Sequence, residues 1–243
     1  MIELTENEFV TDVNDGIKLI QNKNGLTYGT DAYLLSAFIK ARPSGVAAEI
    51  GSGSGIISLL LAARKKFLRI YALEVQEYYA SLTGRNSVLN GLDGIVEAVH
   101  TDARDFRTEC DAVFMNPPYM KTESGKRNTD DGKYAARHEV FGSITELCSA
   151  ASKMLKYGGE LYAVYRPDRM IDLICAMRAS GIEPKNLCLV YQSVAHQPCL
   201  VLVSGKKGGK SGINVMRPLI LTDGKGSDTN DCISIYENGE WIE

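Results

Sequence analysis

Val46-Ala47-Ala48-Glu49-Ile50-Gly51-Ser52-Gly53-Ser54-Gly55-Ile56-Ile57-Ser58-Leu59-Leu60-Leu61 reads as a short apolar strand, a glycine-rich turn and an apolar helix in immediate succession. Glycines at such a turn let the backbone approach a ligand at the carboxyl edge of a sheet, where doubly wound folds bind their cofactors. Outward from this stretch, between about Val46 and Val203, strand-like runs alternate with longer helical ones, the mark of right-handed βαβ crossovers. Strands are expected at Val46 to Ile50, Arg69 to Glu74, Val96 to His100, Ala112 to Asn116, Glu160 to Tyr165, Asn186 to Tyr191 and Leu200 to Ser204. Helices are expected at Asp31 to Lys40, Ile56 to Lys65, Glu77 to Asn90, Ser143 to Leu155 and Arg169 to Ser180. Asn90-Gly91 and Tyr157-Gly158-Gly159 read as helix ends, and Pro167 suits a first helical turn because its missing N–H costs nothing there. Only Gln192 to Cys199 separate the last two strands, too few residues for a helical crossover, so these pair as an antiparallel hairpin. The expected fold class is α/β, a doubly wound, mostly parallel seven-stranded sheet with its last strand antiparallel.

Three segments are expected: an N-terminal extension over residues 1–30, the α/β core over 31–205, and a tail over 206–243 packed on or near the core. The tail is rich in Gly, Asp and Asn, and its apolar run Ile233 to Tyr236 reads as a short strand. With 44% hydrophobic and 23% charged residues, the 243-residue chain has the balance of an ordinary globular protein. No apolar run is long enough to cross a bilayer, and the acidic start, Met1-Ile2-Glu3-Leu4-Thr5-Glu6, is unlike a signal peptide, so a cytoplasmic protein without membrane partners is expected. Cys110, Cys148, Cys175, Cys188, Cys199 and Cys232 show no paired spacing, and His100, His138 and His196 none that suits a metal, so no metal site is expected.

The glycine turn has two candidate ligands. A dinucleotide fingerprint, G-x-G-x-x-G, would place its third glycine at position 56, which is Ile56. Glu49 gains a pyrophosphate nothing, whereas S-adenosylmethionine carries an ammonium and a sulfonium that an acidic rim suits. Gly51, Gly53 and Glu49 together therefore favour S-adenosyl-L-methionine as cofactor. Glu74 ends the second strand, 23 residues beyond Gly51, and can accept from both hydroxyls of a ribose. Asp102, just past the third strand, can accept from an adenine amine while the Ala103 N–H faces a ring nitrogen.

Asn116-Pro117-Pro118-Tyr119, closing the fourth strand, is the most specific signal in the chain. An exocyclic adenine amine or a glutamine amide has its lone pair delocalised and is a poor nucleophile. Two acceptors on its N–H bonds can aim it and support the positive charge that develops on it. Asn116 can offer a side-chain carbonyl and Pro117 a backbone carbonyl, left unpaired because Pro118 has no N–H. Tyr119 offers a face for stacking a planar group.

With these motifs the chain resembles the amine-methylating class of Rossmann-like methyltransferases over nearly its whole length. More narrowly it resembles the bacterial valine tRNA adenine-N6-methyltransferases through Tyr28-Gly29-Thr30-Asp31-Ala32-Tyr33-Leu34-Leu35, Asn-Pro-Pro-Tyr, Ala135-Ala136-Arg137-His138-Glu139 and Arg217-Pro218-Leu219-Ile220-Leu221. The resemblance implies that Gly29-Thr30-Asp31 folds against the cofactor's methionine end, giving Thr30 and Asp31 cofactor roles. It also implies methylation of an adenine N6 in tRNA, the base leaving its stack to reach Asn116. Asn-Pro-Pro-Tyr is shared with enzymes that methylate glutamine in peptide release factors, so a protein substrate is the alternative. Those carry a helical substrate domain, and only about 30 residues precede the first expected helix here, which favours RNA. A binding module without turnover is the third possibility, disfavoured by the intact motif.

The formal net charge of −3 gives no overall field for nucleic acid, so any RNA contact must be local. Lys126, Arg127, Arg137 and His138, in the loop from Lys121 to Arg137 after the motif, are the candidates for holding flanking phosphates. Lys206-Lys207-Gly208-Gly209-Lys210 reads either as a solvated flexible turn or as a second RNA contact.

Overall fold

Phe9-Val10-Thr11 and Leu19-Ile20 flank Asn14-Asp15-Gly16, and in the computed structural model of the chain they form an antiparallel hairpin, β1 (Glu8–Asp12) and β2 (Lys18–Asn22). The structure describes residues 3–25, 28–117 and 142–241, so Tyr119, Lys126, Arg127, Arg137 and His138 lie outside the described residues. The expected extension thus contains a hairpin that the sequence reading did not anticipate; in its turn Asp15 and Gly16 both take positive φ, 61° and 71°.

The hairpin leads into α1 (Thr30–Phe38) and the central sheet: β3 (Arg42–Ile50), β4 (Phe67–Glu74), β5 (Val96–His100), β6 (Cys110–Met115), β7 (Leu155–Tyr165), β8 (Ile182–Tyr191) and β9 (Pro198–Lys207). Their spatial order is β5-β4-β3-β6-β7-β9-β8. Neighbours from β5 to β7 are parallel, while β9 runs antiparallel to both β7 and β8. The chain leaves β3 towards β4 on one side and returns as β6 on the other, so the strand order reverses between β3 and β6. At that reversal the carboxyl ends open into a crevice. The remaining helices of the core are α2 (Ile56–Ala63), α3 (Glu77–Leu89), α4 (Ile144–Met154) and α5 (Met170–Ala179).

Successive strand residues enter two different cores, as the pleat requires. Ala47, Ile70, Phe114, Tyr162 and Val164 pack with α1 and α2, whereas Ala48, Leu73, Val113, Met115, Leu161 and Ala163 pack with α4 and α5. The sheet is therefore apolar on both faces, which is why its strands read as continuous apolar runs.

Most strands begin earlier than expected, and some assignments differ in kind. Tyr157-Gly158-Gly159 does not end a helix: α4 stops at Met154 and the next residue opens β7, where Gly158, at φ 80°, lies in a break of register between Leu155 and Glu160. Ile233 to Tyr236 is not a strand but part of α6 (Asn230–Asn238). Thr229 caps its start by accepting from the Cys232 N–H, and Gly239 ends it in the left-handed region, so the terminal signals prevail over the β-branched isoleucines. Before α6, β10 (Asn214–Val215) and β11 (Leu219–Ile220) both pair parallel with β8 and widen the sheet. Lys206 and Lys207, read as part of a solvated turn, belong to β9, and the Lys207 ammonium donates to the carbonyls of Ser152 and Leu155 at the end of α4. Among the described residues no helix is long and apolar enough to cross a membrane.

Candidate functional site

The glycine turn leaves β3 beside the reversal of strand order. Gly51 and Ser52 both donate to the Leu73 carbonyl, at 2.9 and 3.0 Å, which ties the turn to β4. Gly51, Gly53 and Gly55 take φ of 73°, 56° and 84°, so each alternate residue needs the left-handed region. At Gly51 and Gly53 a Cβ would meet no atom within 4 Å, so the turn presents bare backbone to open space. Gly55 faces inward instead: a Cβ there would lie 2.8 Å from the Thr83 methyl. Thr83 also donates to the Gly53 carbonyl at 2.9 Å. Sequence reasoning missed Thr83, since nothing local marks a helical threonine that grips a loop 30 residues away.

The three expected acids behave differently. Glu74 stands at the carboxyl end of β4, accepting from the Gly53 N–H at 2.9 Å through Oε2 and from the Gln76 N–H at 3.0 Å through Oε1. A carboxylate has about four acceptor positions, so this leaves capacity for two hydroxyls. Glu49 is not on a rim: it is 2% exposed, beneath the turn, and accepts from the Ser58 N–H and hydroxyl of α2. Burial pushes its carboxyl up to about 8, against the Ser58 donors, with the Glu74 charge adding to the rise. Asp102 follows β5 and is gripped by Arg104, whose Nη2 donates to Oδ2 at 2.6 Å and whose backbone N–H donates to Oδ1 at 2.8 Å. That guanidinium holds the Asp102 carboxyl below its usual range. Arg104, which the sequence reading did not single out, also reaches Glu146 in the first turn of α4. Ala103 is buried among the residues under the sheet on the α4 side.

Register places the amine-binding candidates next to the glycine turn. Ile50 pairs with Met115, so Gly51 and Asn116 leave adjacent strands at the same level. Asn116 Nδ2 donates to Asp31 Oδ2 at 2.8 Å, joining the end of β6 to the first turn of α1. Thr30, the neighbour of Asp31, accepts at 2.8 Å from the Tyr236 hydroxyl, so α6 reaches the same turn. Tyr236 also lies against Tyr33, with ring centroids 4.7 Å apart. The structure thus brings Thr30, Asp31 and Asn116 into one cluster and Gly51, Gly53 and Glu74 into another, on adjoining strand ends.

Residues 22–176 match the family model described as the methyltransferase small domain, well over half of the chain. The chain belongs to that family. It is an S-adenosylmethionine-dependent methyltransferase, and its mostly parallel sheet with an antiparallel strand near one edge is the fold of its solved neighbours. Among curated relatives, the tRNA1(Val) (adenine(37)-N6)-methyltransferase of Aeromonas hydrophila is 30% identical, over 78% of this chain and 75% of its own. A protein of the same name from a Flavobacteriaceae bacterium is 27% identical, over 71% of this chain and 80% of its own. A predicted O-methyltransferase from Agrobacterium tumefaciens superposes with a TM-score of 0.70 at 21% identity, covering 88% of this chain and 98% of its own. TYW2 of M. jannaschii, solved in complex with AdoMet, gives 0.59 at 16% identity, covering 85% and 88%. The open backbone at Gly51 and Gly53, with a carboxylate on the neighbouring strand end, is chemically suited to the cofactor of this methyltransferase.

Proposed function

We propose that this methyltransferase acts on the exocyclic N6 amine of an adenine in tRNA. The observation that carries the proposal is Asn116-Pro117 at the end of β6, level with the glycine turn, in a chain whose curated relatives bear the name of a tRNA adenine-N6-methyltransferase. S-adenosylmethionine supplies an electrophilic methyl group. Gly51 and Gly53 give it backbone, Glu74 accepts from its ribose, and Asp102 and the Ala103 N–H address its adenine. Thr30, in the first turn of α1, would serve its methionine end, and the buried Glu49 would supply an acid for its positive charges. Asn116 Oδ1 and the Pro117 carbonyl accept the two N–H bonds of the target amine and stabilise the charge it develops. Tyr119, by its place in the motif, stacks the base, and Lys126, Arg127, Arg137 and His138 hold RNA phosphates.

The test is incubation with labelled methyl donor and either total bacterial tRNA or peptide release factor, followed by digestion of the tRNA to nucleosides. Label in N6-methyladenosine is the expected result. Label in release-factor glutamine would replace the proposal with protein methylation, and label in neither would overturn it in favour of another acceptor.

A further inference from the structure

We infer that Asp31 is a positioning residue for Asn116, fixing which end of the Asn116 amide faces the target amine. This rests on the role given to Asn116 above. A carboxylate can only accept, so the atom of Asn116 that lies 2.8 Å from Asp31 Oδ2 must be the amide nitrogen. The amide is planar, and with its nitrogen held against Asp31 its oxygen is turned to the other side. Reversal of the amide would set oxygen against oxygen. Asp31 therefore selects the orientation in which Asn116 can accept an N–H bond. The carboxylate also polarises the amide through the shared bond, making Oδ1 a better acceptor for an amine that becomes positive.

The surroundings hold Asp31 in this pose. Its other oxygen, Oδ1, accepts from the Ala32 N–H at 3.0 Å, in the first turn of α1, where the helix dipole favours an anion. Gly29, the N-cap of α1, has φ −126°, an ordinary extended value, so its lack of a side chain has another reason. A Cβ at Gly29 would lie 3.0 Å from Asp31 Oδ1, so the carboxylate would have to give way slightly. The turn is anchored from the far side by the Tyr236 hydroxyl on Thr30, and behind it residues 32–38 of α1 are all buried. A carboxylate backed by a buried helix is a firm support for a side chain on another element.

Both oxygens of Asp31 accept, and this makes the asparagine variant diagnostic. Asp31→Asn keeps the shape but, of the Ala32 N–H and the Asn116 amide, can satisfy only one as an acceptor. Keeping the Ala32 N–H bond turns its own NH2 towards Asn116, which drives the Asn116 amide to reverse. Asp31→Asn and Asp31→Ala should each slow single-turnover methyl transfer at saturating tRNA and cofactor by about 10- to 100-fold. The resemblance implies a cofactor role for Asp31, whereas a carboxylate engaged with Asn116 and Ala32 acts through Asn116, so cofactor affinity by calorimetry should change less than about twofold in both. Asp31→Ala/Asn116→Ala should be no slower than Asn116→Ala alone, because the lost function passes through Asn116. Side-chain amide protons of Asn116 should exchange faster with solvent in Asp31→Ala, by nuclear magnetic resonance. Weakened cofactor binding with an unchanged saturated rate would overturn the inference, as would losses that multiply in the double variant. The exchange and calorimetric readings need no methyl acceptor, so they judge Asp31 even if the parent proves to methylate glutamine and not tRNA.

Discussion

Glu49 is placed where its charge is disfavoured: 2% exposed, with the N–H and hydroxyl of Ser58 donating to it and Glu74 on the next strand end. Its carboxyl is raised to about 8 from an ordinary value of 4.5. The sign of the linkage follows. Below about 4.5 both folded and unfolded chains carry the proton, and the acid is neutral for stability. Between about 4.5 and 8 the unfolded chain ionises while the folded one holds its proton, so stability falls as pH rises, and it levels off above about 8. Glu49→Gln removes this dependence. Urea titrations without cofactor should therefore show the parent losing stability relative to Glu49→Gln from pH 4.5 to pH 8. The same variant should bind the cofactor less tightly, because a cationic ligand is favoured by the ionised acid that glutamine cannot provide. A parent and variant that track each other across this range would show that Glu49 is ionised in the free protein. A buried acid retained at a cost to stability is the pattern expected of a ligand site.

At the scale of elements, the hairpin docks on α3 through two asparagines one turn apart that imitate a neighbouring strand. Asn86 accepts from the Ile20 N–H at 2.7 Å and donates to the Ile20 carbonyl at 3.1 Å, while Asn90 does the same with Lys18, both at 2.8 Å. Asn86 also donates to the Ser54 carbonyl at 2.9 Å, so this joint continues into the glycine turn. Because Asn86 is fully buried, Asn86→Ala should cost about 2–3 kcal/mol in urea unfolding, the scale of unpaired buried backbone groups. Asn86→Asp, with a carboxylate facing two carbonyls, should cost more despite its matching shape. Equal losses in the two variants would mean that packing alone matters at this position. The contrast also shows what the sequence could tell. Strand positions were legible because the pleat sends alternate residues into two apolar cores, and β5 was found at its actual bounds. Neither the hairpin nor its partner was read from the sequence, and an asparagine on a helix carries no sign that it will face a strand 66 residues earlier. In α6 the isoleucines suggested a strand, and the caps at Thr229 and Gly239 held the better information. The site divides in the same way. Strand-end residues such as Glu74 and Asn116 follow from topology, whereas the bond between Asp31 and Asn116 spans 85 residues and arises only when α1 packs on the sheet.

Across the whole molecule, the N-terminal hairpin, the first two helices and α6 meet at Arg64, the residue that ends α2. Its Nε donates to Asp15 Oδ2 in the hairpin turn at 2.9 Å and its Nη1 to Ser36 Oγ in α1 at 3.0 Å. Gly239, where α6 ends, covers the guanidinium so closely that a Cβ would come within 2.1 Å of Cζ. Beside it Asn14 donates to the Tyr236 carbonyl, and the hydroxyl of that tyrosine holds Thr30 next to Asp31. The guanidinium side chain is only 8% exposed and Asp15 20%, so breaking the pair leaves a carboxylate partly shielded from water without its partner. Arg64→Ala should therefore lower stability by about 2–3 kcal/mol, the range for hydrogen bonds to charged groups. Arg64→Lys should restore little of it, because an ammonium lacks the fork that serves two directions at once. Native-state hydrogen exchange gives the sharper test. Protection should fall together in the hairpin turn and in α6, while central strands such as β6 keep theirs. Loss confined to one of those two segments would show that they are anchored separately. Because Tyr236 and Thr30 lie on the same chain of contacts, the alanine variant should also slow methyl transfer more than it weakens cofactor binding.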